Sequence, residues 1–232
     1  MKQALVVFSK TPVIGQVKTR LVPPLTDDQA LHLYRALLQD TLVLCSSFAT
    51  QEVGLFLSLT GEAPASLLPP SLRSRFALLQ QEGADLGERL AHCFATLHGK
   101  GFTRIAVVGA DAPLMRRDEI VDAFHLLGGY DLILGPTEDG GYFLVATTRP
   151  LPEIFEAIDW GTDVVLQQTL DRAQAAGVAF ALLPEGRDVD RIQDLRAVWE
   201  TMRRRKKRRQ LVPFHTWRVL ETLMPELDAA PD

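Results

Sequence analysis

Short apolar runs alternate with helical patterns along almost the whole chain. Seven runs predict strands, at 4–8, 53–59, 76–79, 105–108, 132–134, 143–146 and 178–183. Helical spacing of apolar residues lies between them, at 86–97, 118–127 and 163–176. A capping box from Thr26 to Gln29 begins a further helix after the first strand. This order favours a mostly parallel mixed sheet with helices on both faces, a three-layer α/β/α fold.

The last part of the chain has a different character. Asp190 and Gln193 have the spacing of a capping box and predict a final long helix that runs into a block of basic residues. We therefore expect one domain over 1–199 and a basic helical C-terminal extension over 200–232.

An apolar stripe marks the extension beyond Pro213. It comprises Phe214, Trp217, Leu220 and Leu223. The stripe would dock either on the body of the protein or on a second copy, so a homodimer through the extension is one expectation.

Composition indicates a globular protein with a large core. Of the 232 residues, 47% are hydrophobic, but no apolar run approaches the about 20 residues of a membrane-spanning helix. The first apolar run is too short for a signal peptide. Cys45 and Cys93 lack metal-ligand spacing, which is typical of buried thiols in a reducing compartment. We expect a cytoplasmic protein.

The net charge of −4 conceals an uneven distribution. Residues 203–209 are seven consecutive Arg and Lys residues, so the remainder carries −11. Such a run can contact nucleic acid or anionic lipid. No aromatic residues interleave with it, as a nucleic-acid platform requires. A solvated helix extension, or a contact with an acidic neighbouring subunit, is therefore favoured.

A single carboxylate follows the predicted strand at 105–108. Gly109 lets the backbone turn and Pro113 disfavours helix, so Asp111 stands just beyond the carboxyl end of the strand. Open α/β sheets bind ligands at this edge, and a carboxylate there suits Mg²⁺ or Mn²⁺ carrying phosphates. The alternative is that Asp111 only caps the helix that begins near Arg116.

A long basic loop follows the first strand, where nucleotide-binding sheets hold phosphate. Lys10, Lys18 and Arg20 supply positive charge, and Gly15 permits close backbone approach. The loop has neither dinucleotide-binding nor P-loop spacing. Its position favours a diphosphate or triphosphate site over an ordinary charged surface.

Asp85 and Arg89 follow the strand at 76–79. Helix capping explains Asp85 fully, because Glu88 has the matching spacing. It does not explain Arg89.

A glycine pair follows Asp139. Gly140 and Gly141 permit a tight turn beside a ligand, and Asp139 would act there as an acceptor-binding group or a base. A plain hairpin turn is the alternative, and spacing alone does not decide between them.

Asp188 and Asp190 follow the last strand. Asp190 is explained as the N-cap of the final helix, whereas Asp188 would complete a metal site with Asp111.

These motifs together resemble the GT-A superfamily of nucleotide-diphospho-sugar transferases. The nearest branch is the bacterial glycosyltransferase-like or guanylyltransferase-like group, some members of which are linked to arsenosugar biosynthesis. The resemblance rests on F-S-K-T-P-x-x-G-x-V-K-T-R-L, G-x-D-x-P-L, G-P-T-E-D-G-G-Y and D-V-D before a helix, and covers about 4–198. The chain departs from it at Arg191, where Thr is usual, and at Ala110-Asp111-Ala112, which lacks the first Asp of a D-x-D pair.

The resemblance implies roles for individual residues. Asp111 would be the principal metal ligand and a catalytic residue, with Asp188 and Asp190 approaching the same Mg²⁺ or Mn²⁺. The nucleotide and its phosphates would be bound by Lys10, Gly15, Lys18, Arg20, Asp85 and Arg89. The acceptor side would be formed by catalytic Asp139 with Gly140, Gly141 and Tyr142.

The expected activity is metal-dependent transfer from a nucleotide-activated substrate to a small-molecule acceptor. Glycosyl transfer from a nucleotide sugar is favoured, because the Gly-rich, Arg-containing loop of common sugar nucleotidylyltransferases is missing. The alternative is nucleotidyl transfer from a nucleoside triphosphate to a phosphorylated acceptor, since the glycine pair after Asp139 resembles phospholactate guanylyltransferases. A non-catalytic nucleotide-binding module is a third possibility.

Overall fold

Strands and helices alternate in the computed structural model, which describes residues 2–50, 52–62 and 67–229. The strands are β1 (Gln3–Ser9), β2 (Val53–Leu59), β3 (Ala77–Gln80), β4 (Arg104–Gly109), β5 (Leu132–Pro136), β6 (Tyr142–Thr147) and β7 (Phe180–Leu182). The helices are α1 (Asp27–Ser46), α2 (Pro70–Arg73), α3 (Leu86–Gly99), α4 (Arg117–Leu126), α5 (Val165–Ala175), α6 (Ile192–Lys207) and α7 (Phe214–Ala229). Short 3-10 turns lie at Thr19–Leu21 and Pro152–Phe155.

The seven strands form one sheet in the order β3-β2-β1-β4-β6-β5-β7. All run parallel except β6, which is antiparallel to both of its neighbours, β4 and β5. This arrangement confirms the predicted α/β fold with a mostly parallel mixed sheet. The carboxyl ends of β1, β2 and β4 meet at one edge, where their loops can form a site.

The burial of the central strands explains why apolar runs in the sequence predicted the fold. Ala4 to Val7 in β1 and Ile105 to Val108 in β4 are each at most 3% exposed. Strands covered by helices on both faces are apolar at every position instead of alternating. Edge strand β7 is shorter than the predicted run, because it pairs only with three residues of β5.

The C-terminal extension packs against the body. The carboxylate of Asp40, in α1, accepts hydrogen bonds from the backbone N–H groups of His215 and Thr216 at 3.0 and 2.7 Å. Trp217 and Leu220 are buried in a cluster that α1, α6 and α7 share. Most of the predicted stripe therefore packs within the chain, whereas Phe214 is 66% exposed.

Helix starts test the capping predictions. The capping box of Thr26 and Gln29 is confirmed, and so is Asp85 as the N-cap of α3. The assignment of Asp190 as a cap is wrong, because α6 begins one residue later and the Asp194 carboxylate accepts from the N–H of Arg191 at 2.7 Å.

Among the described residues, none of the helices combines the length and apolarity that crossing a bilayer requires.

A candidate phosphate and cation site at the carboxyl edge of the sheet

Two loops that carry predicted site residues are joined at the carboxyl edge. The N–H of Val189 donates to the carbonyl oxygen of Asp111 at 2.9 Å. This bond fixes the segment of Asp188 and Asp190 beside the end of β4. The sequence prediction that Asp111 and Asp188 belong to one locality therefore has a structural basis, whereas their binding of a metal stays a prediction.

Lys18 lies in the middle of this locality. Its side chain is 5% exposed and its Nζ donates to Asp111 Oδ2 at 2.9 Å. Burial lowers the pKa of Lys18, but the charge and hydrogen bond of Asp111 more than offset this and leave the pKa above its ordinary value. Lys18 also has a φ of +50°, a conformation that a non-glycine residue adopts only where its surroundings enforce it. Asp111 is therefore paired with the ammonium group of Lys18. It does not cap α4, whose N-cap is Arg116.

Arg20 makes the second ion pair of the basic loop. Its Nη1 donates to Asp190 Oδ2 at 2.6 Å, and its Nη2 donates to the carbonyl oxygen of Gly161 at 3.3 Å. This engagement also explains why the Asp190 carboxylate does not cap α6. Lys18 and Arg20, the predicted phosphate ligands, thus form ion pairs with Asp111 and Asp190, which are predicted metal ligands.

Of Asp111, Asp188 and Asp190, Asp188 is the one that no lysine or arginine is paired with among the described residues. Burial raises the pKa of Asp188 to about 7, with further contributions from the negative charges of Asp111 and Asp139. A carboxylate crowded in this way gains from binding either a proton or a metal cation.

Buried hydrogen bonds hold the beginning of the basic loop. The Tyr34 hydroxyl, from α1, lies 2.8 Å from Ser9 Oγ and accepts from the N–H of Lys10 at 2.9 Å. Sequence reasoning missed Tyr34, because its position in the apolar pattern of α1 marks it only as a core residue.

Gln81 joins the carboxyl ends of β1 and β2. Its side-chain amide donates to the carbonyl oxygens of Ser9 and Ser58, both at 3.0 Å. Sequence reasoning missed this role as well. The only signal in the sequence is that Gln81 lies two residues beyond the predicted strand at 76–79.

Asp139 holds its own turn. Its Oδ1 accepts from Thr137 Oγ1 at 2.6 Å and from the N–H of Gly141 at 3.1 Å. Gly140 has a φ of +85°, and a Cβ there would lie 2.0 Å from the carbonyl oxygen of Asp163. The geometry therefore supports the turn alternative for Oδ1, and a role for Asp139 as a base stays a prediction.

The remaining predicted site residues are spread along the edge. Asp85 accepts from the N–H of Glu88 at 2.8 Å, and Arg89 Nε donates to the carbonyl oxygen of Gly83 at 3.0 Å. These bonds are local to the start of α3, so nucleotide contacts by Asp85 and Arg89 stay predictions.

Lys10, Gly15 and Tyr142 differ in accessibility. Lys10 is exposed, and Gly15 has a φ of +71° in the basic loop. The Tyr142 hydroxyl is buried, which raises its pKa, and its ring meets that of Trp160 edge-on at 6.4 Å. Contact of Tyr142 with an acceptor stays a prediction.

The donor set suits a hard divalent cation. Within the described ranges no three acidic, histidine or cysteine side chains form a ready-made cation site. Mg²⁺, however, is commonly held by one or two carboxylates together with substrate phosphates. Asp111 and the crowded Asp188 supply such oxygen donors.

The seven-stranded mixed sheet, flanked by helices, is the α/β fold of the nucleotide-diphospho-sugar transferases. The chain belongs to the family described as uncharacterized protein conserved in bacteria (DUF2064), whose profile matches residues 43–162. No curated protein matches the chain.

Solved structures show the same fold. A protein from Desulfovibrio desulfuricans G20, provisionally named a nucleotide-diphospho-sugar transferase, is 30% identical with a TM-score of 0.80, over 99% of this chain and 96% of that one. Rv0371c from Mycobacterium tuberculosis H37Rv is 16% identical with a TM-score of 0.53, over 86% and 99%. A 4-diphosphocytidyl-2C-methyl-D-erythritol synthase is 12% identical with a TM-score of 0.52, over 85% and 96%. The last two likenesses concern the fold alone.

Proposed function

We propose that this protein is a divalent-cation-dependent transferase acting on a nucleotide-activated substrate, and that its reaction is glycosyl transfer from a nucleotide-diphospho-sugar. The observation that carries the proposal is the ion pair of the buried Lys18 with the partly exposed Asp111, beside the crowded Asp188. The provisional name of the Desulfovibrio desulfuricans relative agrees with it.

The ion pairs of Lys18 and Arg20 indicate how the basic loop would bind phosphate. A diphosphate entering the edge offers Lys18 and Arg20 new anionic partners in place of Asp111 and Asp190. Once released from Lys18, the Asp111 carboxylate would be free to hold a divalent cation, with Asp188 as a further oxygen donor. When bound, that cation would neutralise charge on the departing phosphate group.

Lys18 and Arg20 also serve the chemical step. Negative charge grows on the nucleoside diphosphate as the bond to the sugar breaks, and fixed cations stabilise that charge without reorganising. Burial lowers the pKa of Lys18, and the charge of Asp111 raises it above its ordinary value. A phosphate in the place of Asp111 would supply the same negative charge and keep Lys18 protonated.

Nucleotidyl transfer is the second candidate, and the turn at Asp139 favours it. One oxygen of Asp139 is already bound to Thr137 and Gly141, which limits its use as a base toward an acceptor hydroxyl. A phosphorylated acceptor needs no such base. In this reaction an acceptor phosphate attacks the α-phosphate of a nucleoside triphosphate and pyrophosphate leaves.

A binding and product assay separates the two reactions. Melting temperatures are measured with nucleoside diphosphates, nucleoside triphosphates and nucleotide sugars, each with and without Mn²⁺. Release of nucleoside diphosphate from the sugars, and of pyrophosphate from the triphosphates, is then measured for the ligands that bind. Glycosyl transfer predicts stabilisation by nucleotide sugars and diphosphates, with release of the diphosphate.

Asp111→Asn tests the cation assignment. We expect it to remove Mn²⁺-dependent stabilisation and turnover, whereas Asp122→Asn, on the exposed face of α4, retains both. Pyrophosphate release alone would make nucleotidyl transfer the function. Unchanged binding and turnover in Asp111→Asn would exclude Asp111 as the cation ligand, and no response to any nucleotide would contradict both reactions.

A further inference from the structure

The corner between α6 and α7 presents a charged and apolar surface that the candidate site does not use. We define the basic corner as residues 203–214, from the arginine run to the start of α7. Leu211 is 95% exposed and Phe214 is 66% exposed. They lie two and five residues beyond the last of the seven consecutive cations.

Arg204 donates to Thr201 Oγ1 at 3.1 Å, and Arg205 lines a cleft described below. The other five cations of the corner fall into two groups. Arg203 pairs with Glu200 at 3.0 Å, and Lys206 lies 4.4 Å from the ring centroid of Trp217. Both are therefore occupied in supporting the corner. The other group, Lys207, Arg208 and Arg209, is exposed, and no acidic residue in the described part of the chain pairs with it.

The corner is a fixed part of the protein. Trp199 and Trp217 pack with their ring centroids 4.8 Å apart beneath it. The N–H of Gln210 donates to the carbonyl oxygen of Arg205 at 2.9 Å, which closes the end of α6. Leu211 and Phe214 thus protrude from a packed support, next to the three exposed cations.

We propose that the basic corner docks on an anionic lipid surface. Lys207, Arg208 and Arg209 would lie among the lipid headgroups, and Leu211 and Phe214 would enter the boundary of the acyl chains. Clustered cations beside exposed apolar side chains match both the charge and the apolar layer of such a surface.

The charge of the whole chain strengthens this choice. The remainder of the protein carries a net charge of −11, so an anionic surface repels it as a whole and attracts the corner. Nucleic acid fits less well, because single strands require a groove with stacked aromatic rings. The corner has one exposed aromatic ring, Phe214, and an aliphatic neighbour.

The corner is connected to the loops of the candidate site. Arg205 and Thr201 of α6 line a cleft of about 350 Å³ together with Arg187 and Glu138. Docking of the corner would therefore bring this cleft close to the lipid headgroups. The docking proposal does not depend on which reaction the site performs.

Vesicle flotation with the full chain tests the proposal. Vesicles of phosphatidylcholine alone are compared with an equal mixture of phosphatidylcholine and phosphatidylglycerol. We expect the protein to float only with the mixture. Reversing Lys207, Arg208 and Arg209 to Glu should weaken binding by about a hundredfold, since each cation near an anionic surface contributes several-fold.

Two further variants identify the surface. Leu211→Ser combined with Phe214→Ser should weaken binding by about tenfold or more through lost apolar insertion. A control reverses Lys2, Lys100 and Arg172, which are exposed in other parts of the chain. It makes the same change in net charge and should bind as the unchanged protein does.

The outcomes are distinct. Absence of flotation with the mixed vesicles, or an equal loss in the control, overturns the proposal. So does binding of a single-stranded oligonucleotide through Lys207–Arg209 without any binding to vesicles, which would make the corner a nucleic-acid site. Far-UV circular dichroism establishes that each variant is folded, so a loss of binding is not a loss of structure.

Discussion

Asp188 shows how a single buried charge ties stability to pH. Its carboxyl group is crowded by Asp111 and Asp139, and burial is the largest cause of its raised pKa. The same surroundings that make it a plausible cation ligand make its charged form costly when no cation is bound. The cost is therefore measurable without knowing the substrate.

We predict that Asp188→Asn stabilises the metal-free protein at about pH 8 and changes little near pH 4. The folded-state pKa of about 7 exceeds the ordinary 3.8, so the folded protein holds the proton more tightly and loses stability as pH rises through that interval. The full shift corresponds to about 4 kcal/mol, which solvent screening reduces to about 1–2 kcal/mol. Urea unfolding at both pH values measures it, with Asp122→Asn as control. Destabilisation at the higher pH would contradict the crowding.

Gly140 provides a second test at this scale. Gly140→Ala brings a Cβ within 2.0 Å of the carbonyl oxygen of Asp163, so we expect a loss of about 3 kcal/mol or more. Gly101→Ala is the matched control, because its φ is +84° and nothing lies within 4 Å of the new Cβ. The left-handed backbone conformation alone should lower the free energy of unfolding of Gly101→Ala by about 1–2 kcal/mol. Equal losses in urea unfolding would mean that the contact with Asp163 does not require glycine.

The roles of individual residues were predictable from the sequence where the interacting residues are close together in the chain. The caps at Thr26 and Asp85 depend on spacings of three residues and were read correctly. The partners of Lys18 and Arg20 lie 93 and 170 residues away. No local pattern contains such pairings, so the sequence indicated a shared edge without indicating which charges meet there.

Among the elements, α7 shows how one side chain can hold a helix in place. Asp40, on α1, binds the N–H groups of His215 and Thr216 in the first turn of α7. It thereby supplies from another helix the acceptor that a local N-cap usually provides. The start of α7 thus depends on the position of α1.

We predict that Asp40→Ala destabilises the protein by about 1–2 kcal/mol, the usual effect of removing a charged cap. Amide hydrogen exchange should accelerate first in the initial turn of α7. Asp40→Asn keeps an acceptor oxygen and should lose less. Unchanged exchange at His215 and Thr216 in the alanine variant would show that α7 does not depend on this cap.

Strand and helix positions were predictable where burial is uniform. The runs for β1 and β4 were found because both faces are covered. The start of α6 was misplaced, since Gln193 and Asp194 are adjacent and either can serve an N-terminal turn. The structure uses Asp194, whose charge makes it the stronger acceptor for the N–H of Arg191.

At the scale of the molecule, the hydrophobic cluster that α1, α6 and α7 share joins the extension to the rest. It contains Leu33 and Leu37 of α1, Val198 of α6, and Trp217 and Leu220 of α7. A boundary near residue 200 follows the change in composition along the sequence. The buried surface does not follow it, because apolar side chains on both sides of the boundary share one cluster.

We predict a single cooperative unfolding transition that includes the extension. In a Trp160→Phe variant the remaining fluorescence comes from Trp199 and Trp217, which pack in the α6–α7 corner. Its urea transition should coincide with that of far-UV circular dichroism. An earlier fluorescence transition would instead support 1–199 as an independently stable domain.

The pairing of Lys18 with Asp111 would couple the binding of phosphate to the binding of a cation. With neither ligand present, the two charges satisfy each other. A phosphate that draws Lys18 away leaves Asp111 exposed to repulsion, and a cation that takes Asp111 leaves Lys18 without a counter-charge. Each ligand alone therefore binds against the loss of this pair, whereas both together satisfy all charges. The edge would work as a coincidence detector, with each ligand raising the affinity for the other by the same factor.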